Sequence, residues 1–150
     1  MPTCDTRYFG ATVYSDDSLI LMPRGPIGFE DETTFVLIQI PEQFPLVYLQ
    51  STRLADLCFI ALPVLTIARD YELVLHSEDA EAIDVPVEPK IGQDVLCLVL
   101  IATGENGPTA NLLAPVLVNL RTGRAMQCIN AVGSCSVQQP ICAEEEGVAA

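Results

Sequence analysis

Proline and glycine occur at close intervals along this chain, and that spacing constrains the fold more than any other feature. The 150 residues include 11 Pro and 9 Gly. The runs between them are rich in Val, Ile, Leu, Phe and Tyr and have the length of β-strands. Because Pro and Gly disfavour helix interiors, this spacing predicts many short strands rather than long helices.

The apolar runs give the positions of the predicted strands. They are 7–13, 18–22, 34–40, 46–49, 58–62, 71–75, 95–102, 116–120 and 125–129. The run 95–102 is apolar at every position, so we expect a central strand with both faces buried. The run 71–75 carries its charge at Glu72, so one of its faces can meet solvent or a partner.

Helix is predicted with a defined start at only one place. Ser77 is a favourable N-cap residue, the residues after it are acidic, and Pro86 follows closely. This pattern predicts a short helix over 77–83. Short helices or turns are also expected at 51–57 and at 111–114, before Pro115.

Together these elements predict a mainly β, compact single-domain fold, antiparallel and β-barrel-like, with one to three short helices. A barrel or a sandwich would limit the number of exposed strand edges. We expect the domain to cover 1–131. The remainder, 132–150, is small, polar and acidic, which predicts a flexible tail.

The charge balance narrows the classes of partner. The chain has 20 acidic and 7 basic residues, for a net charge of -13. Direct nucleic-acid binding needs clustered Lys and Arg, and an anionic membrane would repel this chain. The acidity favours a basic protein partner, but it would equally keep an apolar chain soluble.

The sequence also bears on the compartment. The segment 1–15 has no apolar stretch behind a basic start, as a signal peptide would have. The strongly apolar run 57–68 is shorter than a membrane span. We therefore expect a cytoplasmic protein.

Groups for catalysis are scarce in this sequence. His76 is the only His, so every Ser–His or Cys–His scheme would have to use it. No P-loop, GxGxxG or HExxH motif occurs. We expect no catalytic site and no cofactor, with a small hydrolase using His76 as one alternative.

The six Cys form no CxxC pair, although Cys128, Cys135 and Cys142 are spaced seven apart. In a chain without a secretion signal, reduced thiols used as small apolar residues are the simpler interpretation. We expect no metal, and a Cys-based metal or redox sensor is the second alternative.

Several short sequence motifs, in their order and spacing, resemble those of the flagellar assembly factor FliW family over about 7–127. They are TRYFG at 6–10, GPIGFED at 25–31, LQS at 49–51, YEL at 71–73 and TANLLAPVLVN at 109–119, followed by Gln127. The last string is the most specific. The resemblance implies a small bacterial cytoplasmic protein with a β-barrel-like fold and no cofactor.

The resemblance also implies two partners. Members of the family bind the RNA-binding translational repressor CsrA and antagonise it, away from the RNA-contacting face of CsrA. They also bind flagellin, so the flagellin level sets how much FliW remains for CsrA and couples that level to translation of flagellin mRNA.

Candidate partner-binding residues follow from these strings and from charge. Glu72, a lone charge among apolar residues, is the first choice, with Tyr71 beside it in the matched string. Asn111 lies in the most specific string, and Glu105 is the only charge in the polar loop 103–108.

Other residues have structural interpretations. Gly28 is expected to supply a turn conformation that other residues resist. Phe29 is expected to fill the core beneath it. Asn111 is expected to cap a short helix or a turn that fixes the chain before Pro115.

Overall fold

The named strands pair with one another in antiparallel fashion. The computed structural model describes residues 2–105, 107–133 and 135–141. The strands are β1 (Thr3–Thr6), β2 (Gly10–Val13), β3 (Leu19–Leu21), β4 (Thr34–Ile38), β5 (Val47–Ser51), β6 (Cys58–Pro63), β7 (Val95–Gly104), β8 (Gly107–Ala110), β9 (Val116–Asn119), β10 (Ala125–Gln127) and β11 (Gln139–Pro140). Helix α1 spans Ser77–Ala82, and three 3-10 turns span Asp16–Ser18, Pro41–Gln43 and Val64–Thr66.

The main sheet curls until its two outer strands meet. Its order is β10-β9-β7-β6-β5-β4-β3, with β8 pairing β7 and β11 pairing β8, while β1 and β2 form a separate hairpin. Leu21 in β3 forms a parallel bridge with Arg124, just before β10. The amide of Leu21 donates to the carbonyl of Gly123 at 3.1 Å. One bridge is not a ladder, so the predicted barrel-like antiparallel fold is confirmed, without full closure.

Strand β7 lies at the centre and separates two apolar cores. Val95, Cys97 and Val99 pack in an outer core, whereas Leu96 and Leu98 face the inside of the curled sheet. Successive residues of a strand point to opposite faces, so an all-apolar strand needs cover on both. The prediction of a central, doubly buried strand is confirmed.

The outer core is covered by residues 64–94, which we call the cover segment. Leu73, Leu75 and Ile83 from this segment pack against the outer face of β7, β9 and β10. The strand predicted at 71–75 is wrong. This stretch is irregular because its backbone groups bond to a side chain and to loops, such as Leu75 N–H to the Val87 carbonyl at 2.8 Å, instead of to a neighbouring strand.

Several other boundaries differ from the sequence prediction. The strand predicted at 7–13 begins in a turn, and only its second part forms β2. The sequence prediction missed β1, and it also missed β8 and β11, which contain Gly or Pro. The region 51–57, expected as a short helix or a turn, is a turn, because the Ser51 hydroxyl accepts the amides of Arg53 and Leu54. Helix α1 is confirmed, but its N-cap residue is His76 and not Ser77.

The ordered domain extends further than predicted. Strand β11 pairs with β8, Ile141 is buried, and the Leu112 amide donates to the Ser136 carbonyl at 2.8 Å. The boundary predicted at 131 is therefore too early, because 135–141 packs on the sheet. The rest of the predicted tail, with the acidic run 144–146, lies outside the described residues. None of the helices in the described ranges has the length and apolar character of a membrane span.

Candidate partner-binding surface

Four of the matched strings meet at one end of the sheet. At this end β3, β5, β7 and β10 finish and β4, β6 and β9 begin, and we call it the upper end. The loops 22–33, 52–57, 111–115 and 128–133 lie here as a consequence of the antiparallel order. Two amide side chains, from Asn130 and Gln127, connect these loops to each other and to the cover segment.

Asn130 fixes the stretch that contains Glu72. Its amide nitrogen donates to the Glu72 carbonyl at 2.7 Å, and its Oδ1 accepts the amides of Val74 at 3.2 Å and Val132 at 3.1 Å. Its own backbone amide donates to the Leu113 carbonyl at 2.8 Å. Asn130 is buried, so each of these groups would lack a partner without it. The sequence analysis did not single out this residue.

Tyr71 and Glu72 have different positions at this site. The Tyr71 hydroxyl donates to the Leu112 carbonyl, and burial raises the pKa of Tyr71, which keeps the hydroxyl protonated as a donor. Glu72 is exposed, and its carboxylate makes no hydrogen bond or ion pair to any described residue. Tyr71 therefore holds the segment in place, and Glu72 is free for an external contact.

Asn111 occupies the turn that precedes β9. Its Oδ1 accepts the amides of Leu113 at 3.1 Å and Ala114 at 3.0 Å, which confirms the predicted turn cap. Pro115 follows and is buried. Since the Asn111 side-chain oxygen is used within the turn, the residue contributes to the site mainly by shaping it.

Gln127 connects this turn to the loop 25–31. Its Oε1 accepts the amide of Ile27 at 2.9 Å, and its Nε2 donates to the Ala114 carbonyl at 3.0 Å. One side chain thus holds two of the matched strings together. The sequence showed that Gln127 follows the string at 109–119, but its hydrogen bond to Ile27 depends on the curl of the sheet.

The loop 25–31 is a tight, defined turn. Gly25 has φ +66°, and a Cβ there would lie 2.5 Å from the Phe29 carbonyl oxygen. Gly28 has φ +91°, as its predicted role requires, but Gly25 is the more tightly constrained position. The Glu30 carboxylate accepts the Gly28 amide at 3.0 Å, which lowers the pKa of Glu30 and keeps it ionised.

The prediction that Phe29 fills the core is wrong. Phe29 is 43% exposed, and its ring lies edge-on to Phe59 with centroids 5.5 Å apart. The core position is taken by Phe35, which is fully buried. The turn directs Phe29 towards the surface, which is information that hydropathy alone does not carry.

Glu105 is exposed in the turn between β7 and β8. No hydrogen bond or ion pair in the described part of the chain joins it to Tyr71, Glu72 or Asn111. The structure therefore brings three of the four predicted partner residues together and leaves Glu105 on a separate hairpin.

The hydrolase alternative requires a nucleophile beside His76. His76 is exposed at the start of α1, and its ring makes no hydrogen bond or ion pair within the ranges that the structure describes. A base must reach the proton that it abstracts, so this arrangement offers no support for that alternative.

The described residues also offer no support for the Cys-based metal or redox sensor. Burial raises the pKa values of Cys97 and Cys128 to about 12, which disfavours the reactive thiolate. Cys135 is half-buried with its sulfur 3.7 Å from the Asn130 amide nitrogen, and Cys142 lies outside the described residues. No group of three or more potential metal ligands occurs in 2–105, 107–133 and 135–141.

These features define a class of small β domain in which one sheet curls almost into a barrel and an irregular segment covers one outer face. The FliW protein family model matches residues 3–141. Since the match covers most of the chain, the protein belongs to the FliW family.

Individual relatives agree. The flagellar assembly factor FliW of Bacillus subtilis (strain 168) is 31% identical over 136 residues, which covers 91% of this chain and 94% of that protein. The FliW of Leptospira biflexa is 27% identical, with 93% and 90% covered. A crystal structure of the flagellar assembly factor FliW superposes with a TM-score of 0.79 and 25% identity, with 92% and 95% covered.

Proposed function

We propose that this protein is a non-enzymatic, protein-binding regulator of flagellar assembly. It binds a CsrA-type RNA-binding repressor and antagonises it, and it binds flagellin, so that the flagellin level controls translation of flagellin mRNA. It acts in the cytoplasm, where translation takes place. The observation that carries the proposal is the family match over residues 3–141, with relatives that are named flagellar assembly factors.

The negative charge of this chain supports a basic protein, the repressor, as one of its two partners. The net charge of -13 favours a partner rich in Lys and Arg, as a protein that neutralises RNA phosphates must be, and this attraction does not require contact at its RNA-binding face. Complementary charge accelerates encounter and disfavours acidic competitors. We therefore expect the affinity for the repressor to fall as salt concentration rises.

Glu72 is the contact that we assign within this function. Its carboxylate is exposed and unpaired among the described residues, while its backbone is fixed by the buried Asn130 amide at 2.7 Å. A group held in place before binding loses less conformational freedom when a cation reaches it. A Lys or Arg of the partner is the natural counterpart.

The test is Glu72→Lys measured by titration calorimetry against the cognate repressor, and separately against flagellin. We expect binding to the repressor to weaken at least tenfold, because attraction becomes repulsion. The melting temperature should stay nearly unchanged, because the carboxylate has no described partner to lose.

Asp17→Lys is the matched control. Asp17 is also exposed and lies in the turn before β3, at the opposite end of the sheet. It makes the same change in net charge, so it separates a local contact from long-range steering. Equal affinities of the Glu72 and Asp17 variants would remove Glu72 from the interface. Failure of the folded wild-type protein to bind either partner would refute the proposed function.

A further inference from the structure

Several large apolar side chains are exposed at the upper end of the sheet, and three of them lie in the loop 25–31 and in the stretch after β10. Ile27 is 57% exposed, and Phe29 and Ile129 are each 43% exposed. Single exposed apolar residues are ordinary, so the question is whether these three form one surface.

Hydrogen bonds bring together the two segments that carry these side chains. Gln127 accepts the amide of Ile27, and Ile129 follows Gln127 by two residues. The stretch 128–130 continues the extended pairing of β10 through backbone bonds to residues 113 and 115. Alternate residues of an extended chain point to the same side, so Ile129 projects on the side where Gln127 meets Ile27.

An acidic residue adjoins each of the two segments. Glu30 follows Phe29 and is held by the Gly28 amide at 3.0 Å. Glu72 is tied through its carbonyl to Asn130, the residue after Ile129. We call Ile27, Phe29 and Ile129, with Glu30 and Glu72, the acid-flanked stripe.

The loop that carries Ile27 and Phe29 is tightly fixed. The Phe29 amide donates to the Pro26 carbonyl at 2.8 Å, and Gly25 is packed too closely against the loop to accept a Cβ. Apolar residues at the centre with charges around them are the usual anatomy of a specific protein interface, and aromatic anchors often contribute most to its affinity.

We propose that the acid-flanked stripe is the docking surface for the basic RNA-binding partner. It would receive a segment whose apolar side chains are flanked by Lys or Arg. This inference rests on the proposed function and extends it from one contact, Glu72, to a surface. A second copy of this chain fits poorly, because it would bring carboxylates of like charge together.

The first experiment uses the double variant Ile27→Ser/Ile129→Ser in titration calorimetry with the cognate repressor. We expect at least a tenfold loss of affinity, because the apolar anchors are removed. Phe44→Ser is the matched control, since Phe44 is 78% exposed and lies between β4 and β5, at the opposite end of the sheet. The control should change affinity by less than about threefold, an extent typical of a site outside an interface.

The second experiment does not depend on the stability of a serine variant. The photoreactive amino acid p-benzoylphenylalanine replaces Phe29 in one protein and Phe44 in another. Illumination with the repressor should cross-link the position-29 protein and leave the position-44 protein free.

The outcomes separate the two levels of the hypothesis. Wild-type binding together with retained binding by the double variant, or equal cross-linking at both positions, would overturn the stripe and leave the proposed function standing. Loss of flagellin binding alone would assign the stripe to flagellin and overturn it as the surface for the repressor. No binding of the repressor by the wild-type protein would overturn both.

Discussion

The curled sheet and the cover segment are held in place by different kinds of hydrogen bond. In the curled sheet, the backbone groups of each strand pair with those of the neighbouring strands in regular registers. The cover segment has local backbone bonds of its own, and the buried amide side chains of Asn119 and Asn130 tie it to the sheet. Asn119 donates to the Ile83 carbonyl at 2.7 Å, and Asn130 bonds to Glu72 and Val74.

This difference teaches how each region can fail. In the sheet, stability is distributed over many ladder bonds and a core that includes Leu98 and Phe35. In the cover segment, single residues each satisfy several backbone groups that are otherwise unpaired, so one substitution can release a whole stretch. The proposed contact Glu72 belongs to the second region and depends on it.

The largest expected effect is in the sheet. Leu98→Ala removes a fully buried side chain from the inner core and should cost about 3 kcal/mol of unfolding free energy. Urea denaturation measures the loss. Because β7 supports both cores, thiol labelling should accelerate both at Cys97, under the cover segment, and at Cys58, on β6. Faster labelling of Cys97 alone would contradict a loss of stability shared by the sheet and the cover segment.

The next effect is local. Asn130→Ala should cost about 2 kcal/mol, because it leaves the Val74 amide and the Glu72 carbonyl without partners. Thiol labelling of Cys97 and Cys128 should accelerate, since both lie in the outer core beneath the cover segment.

Cys58 is the internal control for that experiment. It is half-buried on β6, away from the cover segment, so its labelling rate should change little. Equal acceleration of all three thiols would show that the cover segment does not open independently of the sheet.

The smallest effect is expected just after α1. Asp84 has φ +57°, a conformation that glycine adopts more readily, and its carboxylate pairs with Arg121 on the surface. Asp84→Gly removes the cost of the positive φ, which raises stability, and removes an exposed ion pair, which lowers it. The unfolding free energy should change by less than about 1 kcal/mol, and a larger loss in urea denaturation would show that the ion pair holds the cover segment.

The candidate site was only partly accessible from the sequence. Glu72 and Asn111 were found through their matched strings, and the Asn111 turn cap follows from local chemistry. Asn130 was missed because its partners in the cover segment, Glu72 and Val74, lie more than fifty residues away along the chain. Phe29 was assigned to the core because hydropathy reports a preference for burial and not the direction in which a tight turn points a ring.

By itself the sequence determined the class of fold and the central strand. Short apolar runs between Pro and Gly favour short strands over long helices, and the unbroken run 95–102 requires cover on both faces. Tertiary structure decided how the sheet curls, where the cover segment lies and which side chains stay exposed. These depend on contacts between residues distant along the chain, such as Gln127 with Ile27 and Asn130 with Glu72, which local periodicity does not encode.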